Sequence, residues 1–233
     1  MLAVILAGGL GSRLGNLTKQ VPKPLLPIRG IPFLERYLKL LFKKGFDHVV
    51  LAVGYKSEAI KSHFDEMSFI PHIKYSQENE LLGTGGAIKK CLDLIDTENF
   101  FVINGDSYIN VEYKEMFKTH LKNSCSITIA SIYKKNASRY GIINFDKKNR
   151  VINFKEKGNN KSGYINAGIY LFNKKKVAKF FNKIEKNKFS FEDLILGNQT
   201  KEKNMRIYQV DGQFLDIGIP KDYYRSQDIL FNE

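Results

Sequence analysis

Three runs constrain what this chain can fold into more than anything else in it: MLAVILA at residues 1–7, HVVLAVGY at 48–55 and NFFVINGD at 99–106. They are nearly continuous in apolar residues, without the alternation of a half-buried strand. Such strands need cover on both faces, and they belong to parallel sheets with helices on either side. Helical patterns lie between them. In IPFLERYLKLLFKKG, Phe33, Leu34, Tyr37, Leu38, Leu41 and Phe42 recur at the spacing of an amphipathic helix, and Gly45 suits its end. KSEAIKSHF predicts a short helix, HIKYSQE another strand, and TGGAIKKCLDLI another helix. The first half reads as α/β: a Rossmann-like, mostly parallel sheet with helices on both faces.

The pattern changes near residue 120. CSITIASIY, YGIINFD, RVINFKEK and GYINAGIYLF are closely spaced strands separated by turn signals. They predict strands that extend the sheet or form a small β element over it. SFEDLILGNQT and KDYYRSQDILF read as helices, and RIYQVDGQFLDIG returns as strands. With no linker or repeat between them, residues 1–233 read as one domain, in halves of about 1–120 and about 121–233.

The formal net charge is +13, which favours an anionic partner. The densest basic clusters, KKK at 174–176 and KNK at 186–188, sit in an Asn- and Lys-rich region and read as solvated faces. No basic heptad region, zinc-finger spacing or aromatic RNA-binding motif is visible, so no nucleic-acid partner is expected. Small anions stay open on charge. No apolar run reaches the length of a membrane span, and MLAVILA is broken by glycine too soon for a signal peptide. Cys91 and Cys125 lack CxxC spacing and suggest a reducing compartment, hence a cytoplasmic protein. His48, His63, His72 and His120 carry no ligand spacing.

The first strand leaves through LAGGLGSRLGNLTKQVPK. In open α/β sheets ligands bind beyond the carboxyl ends of the strands, where Gly8, Gly9 and Gly11 fall. Glycines let a ligand approach the backbone, and successive free N–H groups make an anion nest. Arg13 adds a planar multi-donor cation and Lys23 a point charge. The loop is not a dinucleotide fingerprint: Gly9 and Gly11 are followed by Leu14, and Lys19 and Lys23 stand where the acid belongs. Nor is it a Walker loop, since GxxxxGK[ST] is absent. A triphosphate cradle of another kind remains. Asp106, ending an apolar strand, is a hard oxygen ligand suited to Mg²⁺.

At this point the chain resembles a family. LAGGLGSRL…PKPLLPI resembles the signature of sugar-1-phosphate nucleotidyltransferases, and the likeness continues in order through LGTGGAI, NGDS, RYGIINFD, FKEK, INAGIYLF and FLDIGIP. The resemblance implies a Mg²⁺-dependent enzyme that joins a nucleoside triphosphate to a sugar 1-phosphate and releases pyrophosphate. Such chemistry asks for positioning, cationic clamps and a divalent ion, without a covalent nucleophile. By resemblance, Gly8, Gly9, Gly11, Ser12 and Arg13 wrap the triphosphate, Lys23 touches it from the other side, and Leu6 and Ala7 join them as nucleotide-binding residues. Arg13, Lys23 and Asp106 become the catalytic residues, and Asp106 and Asp216 the metal pair. The family puts the nucleoside near Gly83, Thr84 and Gly85; either Glu78 or Glu80 before them could meet a base N–H, and Glu78 is counted with the nucleotide-binding residues. On the sugar side the family implies Gly141, Glu156 and Asn166 for the sugar and Lys157 for its phosphate, with Lys155 the rival one register step away. Arg139 and Tyr140 are pocket-wall candidates.

PKPLLPI with LGTGGAI resembles the short guanylyltransferases, above all those acting on D-glycero-D-manno-heptose 1-phosphate, so GTP and that heptose phosphate are the expected substrates. Mannose 1-phosphate guanylyltransferases and N-acetylmuramate 1-phosphate uridylyltransferases are the rivals within the family. Outside it stand a silent nucleotide-sugar sensor, disfavoured by the joint presence of Arg13, Lys23, Asp106 and Asp216, and a basic nucleic-acid-binding module. A homodimer is left open.

Overall fold

The computed structural model describes residues 1–67, 72–155, 162–193 and 204–228. Its strands are β1 (Leu2–Leu6), β2 (Pro27–Ile28), β3 (Ile31–Pro32), β4 (His48–Val53), β5 (Ile73–Gln77), β6 (Asn99–Asn104), β7 (Ser107–Tyr108), β8 (Ile127–Lys134), β9 (Ile142–Phe145), β10 (Val151–Lys155), β11 (Gly163–Asn173), β12 (Met205–Gln209) and β13 (Leu215–Asp216). The helices are α1 (Leu17–Gln20), α2 (Phe33–Lys43), α3 (Ser57–Asp65), α4 (Gly83–Cys91), α5 (Tyr113–Lys122), α6 (Lys174–Phe181) and α7 (Pro220–Ser226). Residues 194–200 of the helix predicted from SFEDLILGNQT, and the last residues of the chain, lie outside the described residues.

Among the described residues, nine strands share one sheet. β6, β1, β4 and β5 lie side by side and parallel, as the apolar runs predicted. The second half extends this sheet instead of covering it: β11 pairs antiparallel with β6, β8 pairs with β11, and β9 and β10 follow at the edge. The chain leaves β1 for β4 on one side and later returns to β6 on the other. Adjacent strands whose connections run in opposite directions leave a crevice at their carboxyl ends, where ligands of such sheets bind.

The strands lack alternation because each face has its own core. Ala3, Ile5 and Ala7 pack with Phe33, Leu34, Tyr37, Leu38 and Leu41 of α2 on one side. Leu2 and Val4 pack with Ala87, Ile88 and Cys91 of α4 on the other. Both cysteines are buried free thiols, and no helix among the described residues is long and apolar enough to cross a membrane.

His120 at the end of α5 is a core residue. Its Nδ1 lies 2.7 Å from Thr128 Oγ1, while its Nε2 is buried without a partner. Burial, then the nearby Lys176 charge, pushes the imidazole down to about 4. Protonation is therefore disfavoured in the folded chain relative to the unfolded one, whose histidine titrates near 6.5. The stabilising contribution is complete above that value and is lost as pH falls toward 4, amounting to roughly 3 kcal/mol. Urea titrations between pH 7 and 4 are expected to show this slope in wild type and a flatter one in His120→Gln. Equal slopes would refute the assignment.

Candidate active site

At the crevice between β1 and β6 opens a cavity of about 490 Å³, within the range of small-molecule sites. One wall is the end of β1 and its glycine loop, from Leu6 to Arg13; another is Asn104, Gly105 and Asp106 beyond β6; a third is Gly83, Thr84 and Ala87 of α4. Lys23, Glu78 and Gly218 also line it.

Local structure explains how the loop is held. Gly11 sits in the left-handed region at φ 65°, where a side chain would also strike Thr18 and Lys23. That turn starts the short 3-10 helix Ser12–Leu14, which buries Leu14 and leaves Arg13 outside. Gly9 faces open space, with no atom within 4 Å of where a Cβ would stand. Pro22 and Pro24 flank Lys23, whose backbone begins a second 3-10 turn and whose side chain is buried. Its ammonium meets Asp106 Oδ2 at 2.5 Å.

Asp216 comes to the same place through the two-stranded ribbon of β7 and β13. Asp216 pairs with Ser107, and the Ile217 N–H donates to the Asp106 carbonyl at 2.9 Å. A Cβ built on Gly218 would stand 2.7 Å from Asp216 Oδ1, 3.3 Å from an Arg13 guanidinium nitrogen and 3.4 Å from Lys23 Nζ. One carboxylate and two cations thus surround one glycine, and the second carboxylate, Asp106, holds one of those cations, Lys23. Burial raises the Asp216 carboxyl above its ordinary value, and the Asp106 charge raises it further; the Gly218 N–H, Lys23 and Arg139 oppose them. Two mutually repelling carboxylates beside a cavity of small-molecule size fit a hard divalent ion, which takes one or two carboxylates and fills its shell with phosphate and water oxygens. No group of three or more His, Cys, Asp or Glu suited to a metal occurs among the described residues.

The residues predicted for the nucleotide mostly line this cavity, but α4 differs from expectation. Its glycines are small because the protein's own backbone crosses them. A Cβ on Gly85 would lie 2.1 Å from the Phe189 ring, and one on Gly86 would lie 2.2 Å from the Asn187 carbonyl oxygen. Gly85 does not line the cavity, and its N–H donates to the Phe189 carbonyl at 3.0 Å. The Thr84 hydroxyl is engaged inside the protein: it donates to Glu192 Oε2 at 2.6 Å and accepts from the Phe191 N–H at 2.8 Å. Glu78 is buried. Its Oε2 accepts from the Leu82 N–H at 3.1 Å, and desolvation holds its carboxyl above the ordinary value.

On the sugar side, Glu156 and Lys157 lie outside the described residues, and so does the choice between Lys157 and Lys155. Gly141 faces the Phe154 ring, 2.0 Å from where a Cβ would stand, and Asn166 is half-buried in β11; neither lines the cavity. Arg139 does not wall it either. It donates to Asp222 Oδ2 at 2.5 Å and lies 3.9 Å from Asp216. Lys188 went unnoticed in the sequence: the basic cluster at 186–188, read as a solvated face, places Lys188 in the cavity wall. Its signal was not local. The Phe189 N–H bonds to the Leu82 carbonyl, and that pairing carries the segment over α4.

Residues 2–233 match the family described as nucleotidyl transferase. The chain belongs to that family. It is 41% identical over 230 residues, covering 99% of this chain and 98% of the relative, to the D-glycero-alpha-D-manno-heptose 1-phosphate guanylyltransferase of Aneurinibacillus thermoaerophilus. It is 42% identical over 225 residues to the enzyme of the same name from Campylobacter jejuni, covering 96% and 97% of the two chains. Among solved structures, HddC from Yersinia pseudotuberculosis complexed with GMP-PN superposes with a TM-score of 0.84 at 34% identity, covering 97% of this chain and 98% of that one. The cavity at the β1–β6 crevice is therefore the candidate active site of a nucleotidyltransferase, as the motif series from LAGGLGSRL to FLDIGIP predicted.

Proposed function

We propose that this nucleotidyltransferase transfers a guanylyl group from GTP to D-glycero-α-D-manno-heptose 1-phosphate, giving GDP-heptose and pyrophosphate. The observation that carries this reading is the near-full-length identity of 41–42% to two heptose 1-phosphate guanylyltransferases. The sugar phosphate oxygen attacks the α-phosphorus in line, and the bond to pyrophosphate breaks. The loop from Gly8 to Ser12 offers its N–H groups to the phosphates. Arg13 stabilises charge on the leaving pyrophosphate, and Lys23 neutralises the phosphates from the opposite wall. Asp106 and Asp216 would hold Mg²⁺, which neutralises phosphate charge when bound. Glu156, Lys157, Asn166 and Gly141 are assigned to the sugar phosphate by family motif.

Glu78 supports guanine in particular. A buried carboxylate only accepts when ionised, and guanine presents N1–H and N2–H donors together. Glu78→Gln is expected to raise the KM for GTP about tenfold and leave that for the sugar phosphate nearly unchanged. An unaltered KM for GTP would remove Glu78 from base recognition.

The test of the whole reading is pyrophosphate release with Mg²⁺, crossing GTP, UTP, CTP, ATP and dTTP with heptose, mannose, glucose and N-acetylmuramate 1-phosphates. Turnover of GTP with the heptose phosphate is expected. UTP in its place moves the chain to a uridylyl branch, and nucleotide binding without turnover of any pair makes it a sensor.

A further inference from the structure

Glu192 joins the two halves through a chain of hydrogen bonds. Its Oε2 accepts from Thr84 Oγ1 at 2.6 Å and from Ser190 Oγ at 3.1 Å. Its Oε1 accepts from the Tyr170 hydroxyl at 3.1 Å. That hydroxyl accepts from Asn166 Nδ2 at 2.5 Å, and Asn166 Oδ1 accepts from the Gly168 N–H at 2.9 Å. Thr84 walls the nucleotide cavity. Asn166 stands across the sheet on β11, next to the place where its register with β8 shifts.

Each link has only one possible direction. An ionised carboxylate only accepts, so Thr84, Ser190 and Tyr170 must all donate to Glu192. Tyr170 keeps its proton, because burial and the neighbouring Glu192 charge hold the phenol far above its usual value. Because its O–H donates to Glu192, the hydroxyl oxygen accepts from Asn166, so the amide NH₂ must face Tyr170. The Gly168 N–H demands the same orientation from the other end, since it needs the carbonyl oxygen. Among the described residues Asn166 has one further N–H and one further lone pair to offer, and its amide cannot flip without opposing donor to donor at Gly168.

We propose that Glu192 is a positioning residue for the sugar phosphate: through Tyr170 it sets the orientation of the Asn166 amide and ties that amide to the turn of α4 that walls the nucleotide cavity. The inference rests on the proposed assignment of Asn166 to the sugar. Glu192→Gln removes one acceptor from a site that needs three. If its amide faces Tyr170, the hydroxyl proton must turn toward Asn166 and meet the amide NH₂; if it faces Thr84, a buried hydroxyl proton loses its acceptor.

The test combines NMR and kinetics. In the free protein, exchange of the Asn166 side-chain amide protons is expected to show one protected proton in wild type, with the protection lost in both Tyr170→Phe and Glu192→Gln. In turnover, each variant raises the KM for the sugar 1-phosphate about tenfold, keeps the KM for GTP within about twofold, and the double variant is no worse than either single one. Unchanged amide exchange overturns the inference, as does an equal rise of both KM values with a fall in Tm, the mark of a structural role only. Absence of wild-type turnover with every sugar phosphate sinks the proposed function instead, and the exchange experiment, which needs no substrate, still decides for or against the orientation of Asn166.

Discussion

Asp106→Asn is expected to lower kcat by about a thousandfold or more and to abolish tight Mn²⁺ binding in the presence of nucleotide. The reason is the geometry around Gly218. Asp106 and Asp216 are the carboxylates that the β7–β13 ribbon brings together, and Lys23 and Arg13 are the cations facing them. Without an ion, Lys23 is the counter-charge of Asp106, at 2.5 Å. A divalent ion held by Asp106 and Asp216 would supply that counter-charge and leave the Lys23 ammonium available to phosphate. The asparagine keeps the size of the side chain and an acceptor for Lys23, so folding is spared, while the charge that attracts the ion is gone. Calorimetric titration of Mn²⁺ with a non-hydrolysable nucleotide, beside pyrophosphate release, separates lost binding from lost catalysis. Activity above about a tenth of wild type, with metal binding intact, would remove Asp106 from the metal site.

Gly86→Ala is expected to cost about 3 kcal/mol of stability or more, a fall in Tm of about 6–12 °C. The added methyl would stand 2.2 Å from the Asn187 carbonyl oxygen, an atom fixed by a backbone that bonds to the start of α4 through Phe189. A backbone oxygen cannot rotate away as the end of a side chain does, so the helix or the crossing segment must move. Gly9→Ala is the contrasting case. Nothing stands within 4 Å of the new methyl, so Tm is expected to hold within about 2 °C while the KM for GTP rises, because the methyl occupies space beside the phosphate loop. Thermal melts and nucleotide saturation curves of the two variants check both halves. A normal Tm for Gly86→Ala would show that the crossing segment yields.

Why much of this was readable beforehand follows from which residues act locally. The runs MLAVILA and NFFVINGD had to be strands covered on both faces, and the two cores on either side of β1 are that cover. The glycines after β1, with Arg13 and Lys23 behind them, had to form a loop at a strand's carboxyl end, because turn chemistry acts over a few residues. The cavity there confirms the position of that loop. The small residues of LGTGGAI were readable as close-approach positions, but not what approaches them; Phe189 and Asn187 lie about a hundred residues away in the chain.

What the amino-acid order determined by itself was therefore the strands of the main sheet, the buried face of α2 and the glycine loop after β1, each carried by periodicity or spacing within one segment. The tertiary structure alone decided that β11 lies against β6, that Asp216 meets Asp106, that Lys188 turns into the cavity, and that Glu192 links Thr84 to Tyr170. Those are pairings between distant segments. They depend on the register of strands and the burial of polar groups against one another, and a carboxylate in a sequence carries no mark of the hydroxyl that will be buried beside it.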